Sequence, residues 1–173
     1  MKIIPRSGWK ALPAKSVTPA DPHRWKGVVV HWFGKPSAAH YHRDCPKLLR
    51  AVQRAHMMNT DEGYVDIAYN FAVCPHGHFY ELRGLHRRCG ANGTTEANIH
   101  FMAIVVMNGE DKNGVPDKFT IEERQTLRDA IHWARGQGVG KIVKPHGAIT
   151  GSECPGASIR KWVENKRYEI HPA

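Results

Sequence analysis

The chain predicts an α/β fold: one domain with a central mixed β-sheet flanked by helices. Three observations carry that expectation. Apolar, β-branched runs of strand length stand at Lys26 to Trp32 and Phe101 to Met107, and runs without polar alternation are what strands covered on both faces require. Segments of helical spacing alternate with them, the order that places helices against a sheet. The length, 173 residues, suits one core rather than two, with roughly 70% of the unfolded surface buried on folding.

The elements follow in order. Residues 1–24 are Pro-rich and irregular and read as an extended arm. Lys26 to Trp32 is a buried strand with His31 near its carboxyl end, an unusual place for a polar side chain. Between 41 and 58, Leu48, Leu49, Val52 and Ala55 mark one face of a helix. Asp66 to Val73 and Phe79 to Leu82 read as strands joined by the turn Cys74-Pro75-His76-Gly77-His78, which predicts a hairpin. Phe101 to Met107 is closed by Asn108-Gly109. Thr120 and Glu123 form a capping box, in which hydroxyl and carboxylate each accept from a free amide of the first turn. Leu127, Ala130, Ile131 and Ala134 continue that helix to Gly136 and Gly138. Ile142-Val143 is a short strand, and Ala157 to Lys166 a final helix.

Charge narrows the partners. Lys and Arg number 25 against 16 Asp and Glu, a net +9. A basic surface either serves solubility or meets a polyanion: nucleic acid, an acidic membrane or an anionic cell wall. No dense Lys/Arg block supports a nucleic-acid tail. No apolar run approaches the ~18 residues of a membrane span, so membrane insertion is not expected. Ile3-Ile4 is followed at once by Pro5-Arg6-Ser7, so no signal-peptide core is seen. The four cysteines, Cys45, Cys74, Cys89 and Cys154, are too few and too irregular for a disulfide framework. Pairing of Cys74 with Cys89 stays open, and an intracellular holding compartment argues against it.

Two motifs fail on inspection. Gly136-Gln-Gly138-Val-Gly140-Lys141 has Arg135 and Ile142 where a phosphate loop needs Gly and Ser or Thr. His40-Tyr41-His42 and His76-Gly77-His78 have the look of metal pairs, but such loop histidines are usually solvated. A stronger constellation is His31, His146 and Cys154, each placed near a strand end or the loop beyond it. Zinc accepts imidazole nitrogen and thiolate sulfur, and three protein ligands leave its fourth position for water. The plainer alternative is two satisfied histidines and an inert thiol.

The same residues resemble a known family. Ile4-Pro5-Arg6-Ser7-Gly8-Trp9, Val28-Val29-Val30-His31, Asp66-Ile67-Ala68-Tyr69-Asn70-Phe71, Phe79 to Gly84, and Pro145-His146 through Cys154-Pro155-Gly156 occur in the order seen in peptidoglycan-recognition domains. That family includes the zinc-dependent N-acetylmuramoyl-L-alanine amidases of phage endolysins, bacterial amidases and animal recognition proteins. The resemblance implies a zinc cofactor held by His31, His146 and Cys154, with Tyr69 as catalytic residue. Tyr69 is otherwise a packed strand aromatic. The implied reaction is hydrolysis of the amide joining muramic acid to L-alanine. Receptors of the family that only bind peptidoglycan commonly lack the ligand cysteine, so Cys154 favours catalysis.

The chain also departs from the family pattern. Ser152 stands where many amidases carry Lys, and is either a neutral oxyanion donor, the second catalytic candidate, or a loop serine. Asn92 replaces a common His, suggesting an amide where an imidazole faces substrate, and His100 to Ile104 replaces the usual strand. Arg83 either contacts the glycopeptide or ties the hairpin to an acidic neighbour, the latter preferred. The whole reading is a monomeric amidase domain over 1–173 with peptidoglycan as partner and no nucleic acid. It is expected to work as a phage endolysin, or a catalytic fragment of one, that waits in the host cytoplasm until lysis and then reaches the wall. The competing class is a peptidoglycan receptor without turnover; a metal-dependent nuclease has only charge and histidines behind it.

Overall fold

The computed structural model describes residues 1–169. Its six strands are β1 (Ile3–Ile4), β2 (Gly27–Gly34), β3 (Phe71–Val73), β4 (Phe79–Glu81), β5 (Phe101–Gly109) and β6 (Ile142–Pro145). They form one sheet in the order β1-β4-β3-β5-β2-β6. Only the β3–β4 hairpin pairs antiparallel; the other neighbours are parallel. The helices are α1 (Cys45–Met58), α2 (Thr95–His100), α3 (Ile121–Gly136), α4 (Gly147–Thr150) and α5 (Ala157–Glu164).

Alternation along the central strands divides the core in two. Met102, Ile104 and Val106 of β5 and Val28 and Val30 of β2 pack with Leu127 and Ile131 of α3 and Ile159 and Val163 of α5. Val105 and Met107 point the other way, into a second core with Leu49 of α1, Ile67, Tyr80 and Trp9. Both faces of β5 are therefore dry, which is why its sequence shows no polar alternation. His31 lies on the face opposite Val28 and Val30, the side that α1 covers.

Several expectations are met and several are corrected. The hairpin and the Thr120–Glu123 capping box stand as read. Of the expected α1 face, Leu49 is buried and Leu48 and Val52 partly so, but Ala55 is exposed, and Cys45 and Gln53 complete the buried side. Glu123 N–H donates to Thr120 Oγ1 at 3.1 Å and Thr120 N–H to Glu123 Oε2 at 2.8 Å. The arm over 1–24 is more than a loose segment. Ile3 and Ile4 pair with Phe79 and Tyr80, Trp9 is fully buried, and Arg6 pairs with the buried Asp66 at 2.9 Å.

The strand read over Asp66 to Val73 is confined to Phe71–Val73. Side chains take the backbone partners before it. Asn70 Oδ1 accepts from Ala103 N–H at 2.9 Å, its Nδ2 donates to the carbonyls of Gly84 and Arg87, and Asp66 Oδ1 accepts from Ile67 N–H. Such local bonds compete with a ladder. The last helix ends at Glu164 rather than Lys166, whose φ of 51° has left the helical region. Two short helices, α2 and α4, lie outside the expected elements. No helix among the described residues is long and apolar enough to cross a membrane. The end of the chain, 170–173, lies outside the described residues.

Candidate metal centre

Register brings the constellation together. Val30 of β2 lies opposite Pro145 of β6, and His146 N–H donates to Val30 O at 3.0 Å. His146 therefore leaves β6 beside His31, and the two rings lie 4.4 Å apart between centroids. The loop after α4 then returns Cys154 to the same place. Gly147 N–H donates to Cys154 O at 2.7 Å, and Cys154 Sγ lies 3.5 Å from the donating N–H of Trp32 and 3.9 Å from His31 Nδ1. A ligand atom from each of His31, His146 and Cys154 falls within 4.8 Å of the others.

The electrostatics fit a cation. Burial, then the neighbouring His146, pushes His31 down to about 3, against its hydrogen bond to Asn92, which raises it. Burial lowers His146 as well. Both imidazoles are thus neutral, the ligand form. Burial pushes the Cys154 thiol up to about 11, opposed by Trp32 N–H and the Arg160 charge, so a thiolate there needs a compensating ion. His146 Nε2 is buried with no hydrogen-bond partner. Two imidazoles and a sulfur are a donor set that zinc accepts, and this trio fits the ion on all these counts.

Tyr69 precedes β3 in the irregular stretch instead of lying within the strand, and its half-buried ring packs 5.2 Å from His31. Burial, then Cys154 and Tyr64, raises its phenol above the ordinary range, so it stays a hydrogen-bond donor at neutral pH. Ser152 is exposed and does not bond the trio among the described residues. Its Oγ accepts from Thr150 Oγ1 at 3.0 Å, and its carbonyl accepts from Arg160 at 2.6 Å.

Asn92 corrects the expectation of a substrate-facing amide. It is fully buried. Its Nδ2 faces the carbonyls of Ala97 and Phe101, each at 3.1 Å, which orients the amide and leaves Oδ1 to accept from His31 Nε2 at 2.9 Å. That bond places the imidazole proton on Nε2 and turns the lone pair of Nδ1 toward Cys154, the outer-shell arrangement that metal-binding histidines use. Composition and spacing gave no hint of it.

Arg83 is structural as preferred, but through carbonyls: it donates to Ile67 O at 2.6 Å and to Arg88 O at 2.7 Å. A polar cleft of about 550 Å³ opens on His146, with Tyr64, Arg88, Thr94 and Asn98 in its walls. The four cysteines are free. Cys74 bonds with Cys45, whereas Cys89 faces Asn98 and Phe101.

Known proteins share this arrangement of elements. No protein-family model matches the chain. Peptidoglycan-recognition protein SC2 of Drosophila melanogaster is 30% identical over 163 residues, 94% of this chain and 83% of that protein. Mouse peptidoglycan recognition protein 1 is 39% identical over 83 residues, 47% of this chain and 43% of its own. Among solved structures, wild-type Drosophila PGRP-LB superposes with a TM-score of 0.81 at 22% identity, covering 99% of this chain and 98% of that one. Peptidoglycan recognition protein LE, solved in complex with tracheal cytotoxin (a monomeric diaminopimelic acid-type peptidoglycan), gives a TM-score of 0.77 at 26% identity over 96% and 94%. With His31, His146 and Cys154 converging on this fold and a curated relative similar along nearly its whole length, the chain belongs to the peptidoglycan-recognition protein family.

Proposed function

We propose that the chain is a zinc-dependent N-acetylmuramoyl-L-alanine amidase that cleaves the bond between the lactyl group of muramic acid and the first residue of the stem peptide. One observation carries the reading: Cys154 is retained and folds back onto His31 and His146, beside Tyr69. A zinc ion held by these three supplies Lewis acidity for the amide carbonyl and lowers the pKa of water toward ~7.

The chain's own residues do the rest. Asn92 fixes the His31 tautomer. Tyr69, kept protonated by its surroundings, donates its O–H to the oxygen that gains charge as the amide carbon becomes tetrahedral. Ser152 offers a further neutral donor where the family commonly carries Lys, its Oγ already paired with Thr150. The C–N bond then breaks, leaving a lactyl carboxylate on the sugar and a protonated L-alanine amine on the peptide. The cleft beside His146 receives the stem peptide, and the net charge of +9 favours docking on an anionic wall. The same proposal takes the chain as a monomeric lysin of the phage type.

The test is digestion of purified sacculi with the zinc-loaded protein, read by mass spectrometry. New L-alanine amines on intact stem peptides support the reading. Unchanged sacculi in the presence of stoichiometric zinc would leave a receptor, the reading to which ligand-bound relatives such as the LE complex point.

A further inference from the structure

A second cluster of metal-type donors lies at the start of α1, separate from Cys154. His42 belongs to the single 3-10 turn His42–Asp44, and Cys45 is the first residue of α1. Cys74 follows β3 and opens the turn to β4. A ligand atom from each of the three lies within 4.8 Å of the others, with both cysteines buried and His42 exposed. We propose that His42, Cys45 and Cys74 form a second metal site, which takes zinc or an ion of the same thiophilic class. It is independent of the amidase reading.

The turn that carries Cys74 is tight and closed by backbone hydrogen bonds. Cys74 N–H donates to His78 O at 3.1 Å, Gly77 N–H to Cys74 O at 3.0 Å, and Gly77 takes a φ of 74° open to glycine. The sulfurs of Cys45 and Cys74 lie close together in the buried interior, with His42 completing the group at the surface. Tyr80 O–H lies 3.4 Å from His42 Nδ1, holding the ring against the cluster, and His78 stacks on His42 at 3.6 Å.

Two thiolates and an imidazole are a soft-to-borderline set preferred by zinc over magnesium or calcium. A cleft of about 380 Å³ bordered by His42, His78 and Asp129 lies beside the cluster. Binding releases the thiol protons and ties the start of α1 to the β3–β4 hairpin, reinforcing the Tyr80–His42 hydrogen bond. The site is thus a staple across the core that also contains Trp9 and Tyr80.

Metal counting on the full chain tests it. The protein is stripped with chelator, reloaded with zinc, desalted and measured by elemental analysis, in the parent and in Cys154→Ser. The expected result is one equivalent retained by Cys154→Ser, lost on adding Cys74→Ala, and bound at least tenfold more weakly on adding the exposed His42→Ala. Because Cys74→Ala removes a buried side chain, cadmium loading of Cys154→Ser, with Cys45 and Cys74 intact, supplies a second readout: a thiolate-to-metal absorption band expected at one equivalent. Three results would overturn the proposal: no metal held by Cys154→Ser, an equivalent that survives Cys74→Ala, or a Cys45–Cys74 cross-link with a two-hydrogen mass loss and no ion. Hydrolysis by Cys154→Ser would instead sink the amidase reading and leave this site untouched.

Discussion

Asn92→Ala probes the support behind the metal trio. The side chain makes hydrogen bonds to His31, Ala97, Phe101 and Cys89. Most of these partners keep another. Ala97 O still accepts from Phe101 N–H, and Phe101 O still faces the Cys89 thiol at 3.4 Å. Only His31 Nε2–H is left buried with no acceptor, and a stranded donor of that kind costs about 1–3 kcal/mol. The larger consequence falls on the metal. With its proton unanchored, the imidazole loses both tautomer and orientation, and outer-shell losses of this sort weaken metal binding by about 10–100-fold. The assay is a zinc dissociation constant by chelator competition in the Cys74→Ala background, where one site remains, with circular dichroism to confirm folding. Asn92→Asp separates the two effects: it keeps an acceptor for His31, so zinc affinity stays while stability falls from the buried charge. An Asn92→Ala protein that folds and binds zinc as tightly as its parent would refute the positioning argument.

Other outcomes follow from the same geometry. Cys154→Ser lowers zinc content by one equivalent and abolishes amine release from sacculi, checked by elemental analysis beside an amine assay. Tyr69→Phe keeps zinc and melting temperature but lowers kcat by about 100-fold, the usual loss for one oxyanion donor; an unchanged rate returns Tyr69 to packing. Ser152→Ala costs roughly tenfold to a hundredfold if its hydroxyl meets the oxyanion, with zinc content unchanged, and an unaltered rate makes it a loop serine. Glu123 gives a pH effect on stability. Burial pushes this fully buried acid from 4.5 up to about 7, against hydrogen bonds from Thr120 and Asn108. The native state therefore binds more protons than the unfolded chain between those values, and stability falls as pH rises through them. The change is at most roughly 3 kcal/mol. Glu123→Gln removes that slope, so chemical denaturation of parent and variant at pH 5 and pH 7 gives a difference that shrinks as pH falls.

The parts of this molecule legible in its sequence are those fixed by local chemistry. Val28 to Val30 and Met102 to Val106 announce strands dry on both sides, and Thr120 with Glu123 announces a helix start; each depends on neighbours within a turn or two. His31 stood out because a polar side chain interrupts an apolar strand. Its meeting with His146 and Cys154 was legible only as a likeness of motifs, since it depends on β6 pairing with β2 far along the chain. The irregular stretch before β3 reads as strand because Asn70 and Asp66 look like ordinary strand flanks until their side chains are seen to take backbone partners. One missed element did carry a signal. Thr94 caps α2 through its hydroxyl to Ala97 N–H, and α2 in turn supplies the Ala97 carbonyl that orients Asn92.

Why the trio should be a binding site rather than a packed corner follows from what the protein tolerates there. A neutral imidazole and a thiol are ordinary core groups, yet here they are held with polar atoms facing one another. His146 Nε2 has no partner, His31 is denied its charged form and Cys154 its thiolate. Unpaired buried polar groups are costly, and apolar side chains of similar volume would fill the same space without that cost. An ion resolves these strains together. It accepts the lone pairs, converts the thiol to thiolate and compensates the charge so created. Binding energy at such a centre is therefore also folding energy, and the zinc-free protein is expected to melt at a lower temperature than the loaded one. Cys154→Ser should erase most of that increment in the Cys74→Ala background; an equal zinc-induced rise in melting temperature without the Cys154 sulfur would mean that the increment arises elsewhere.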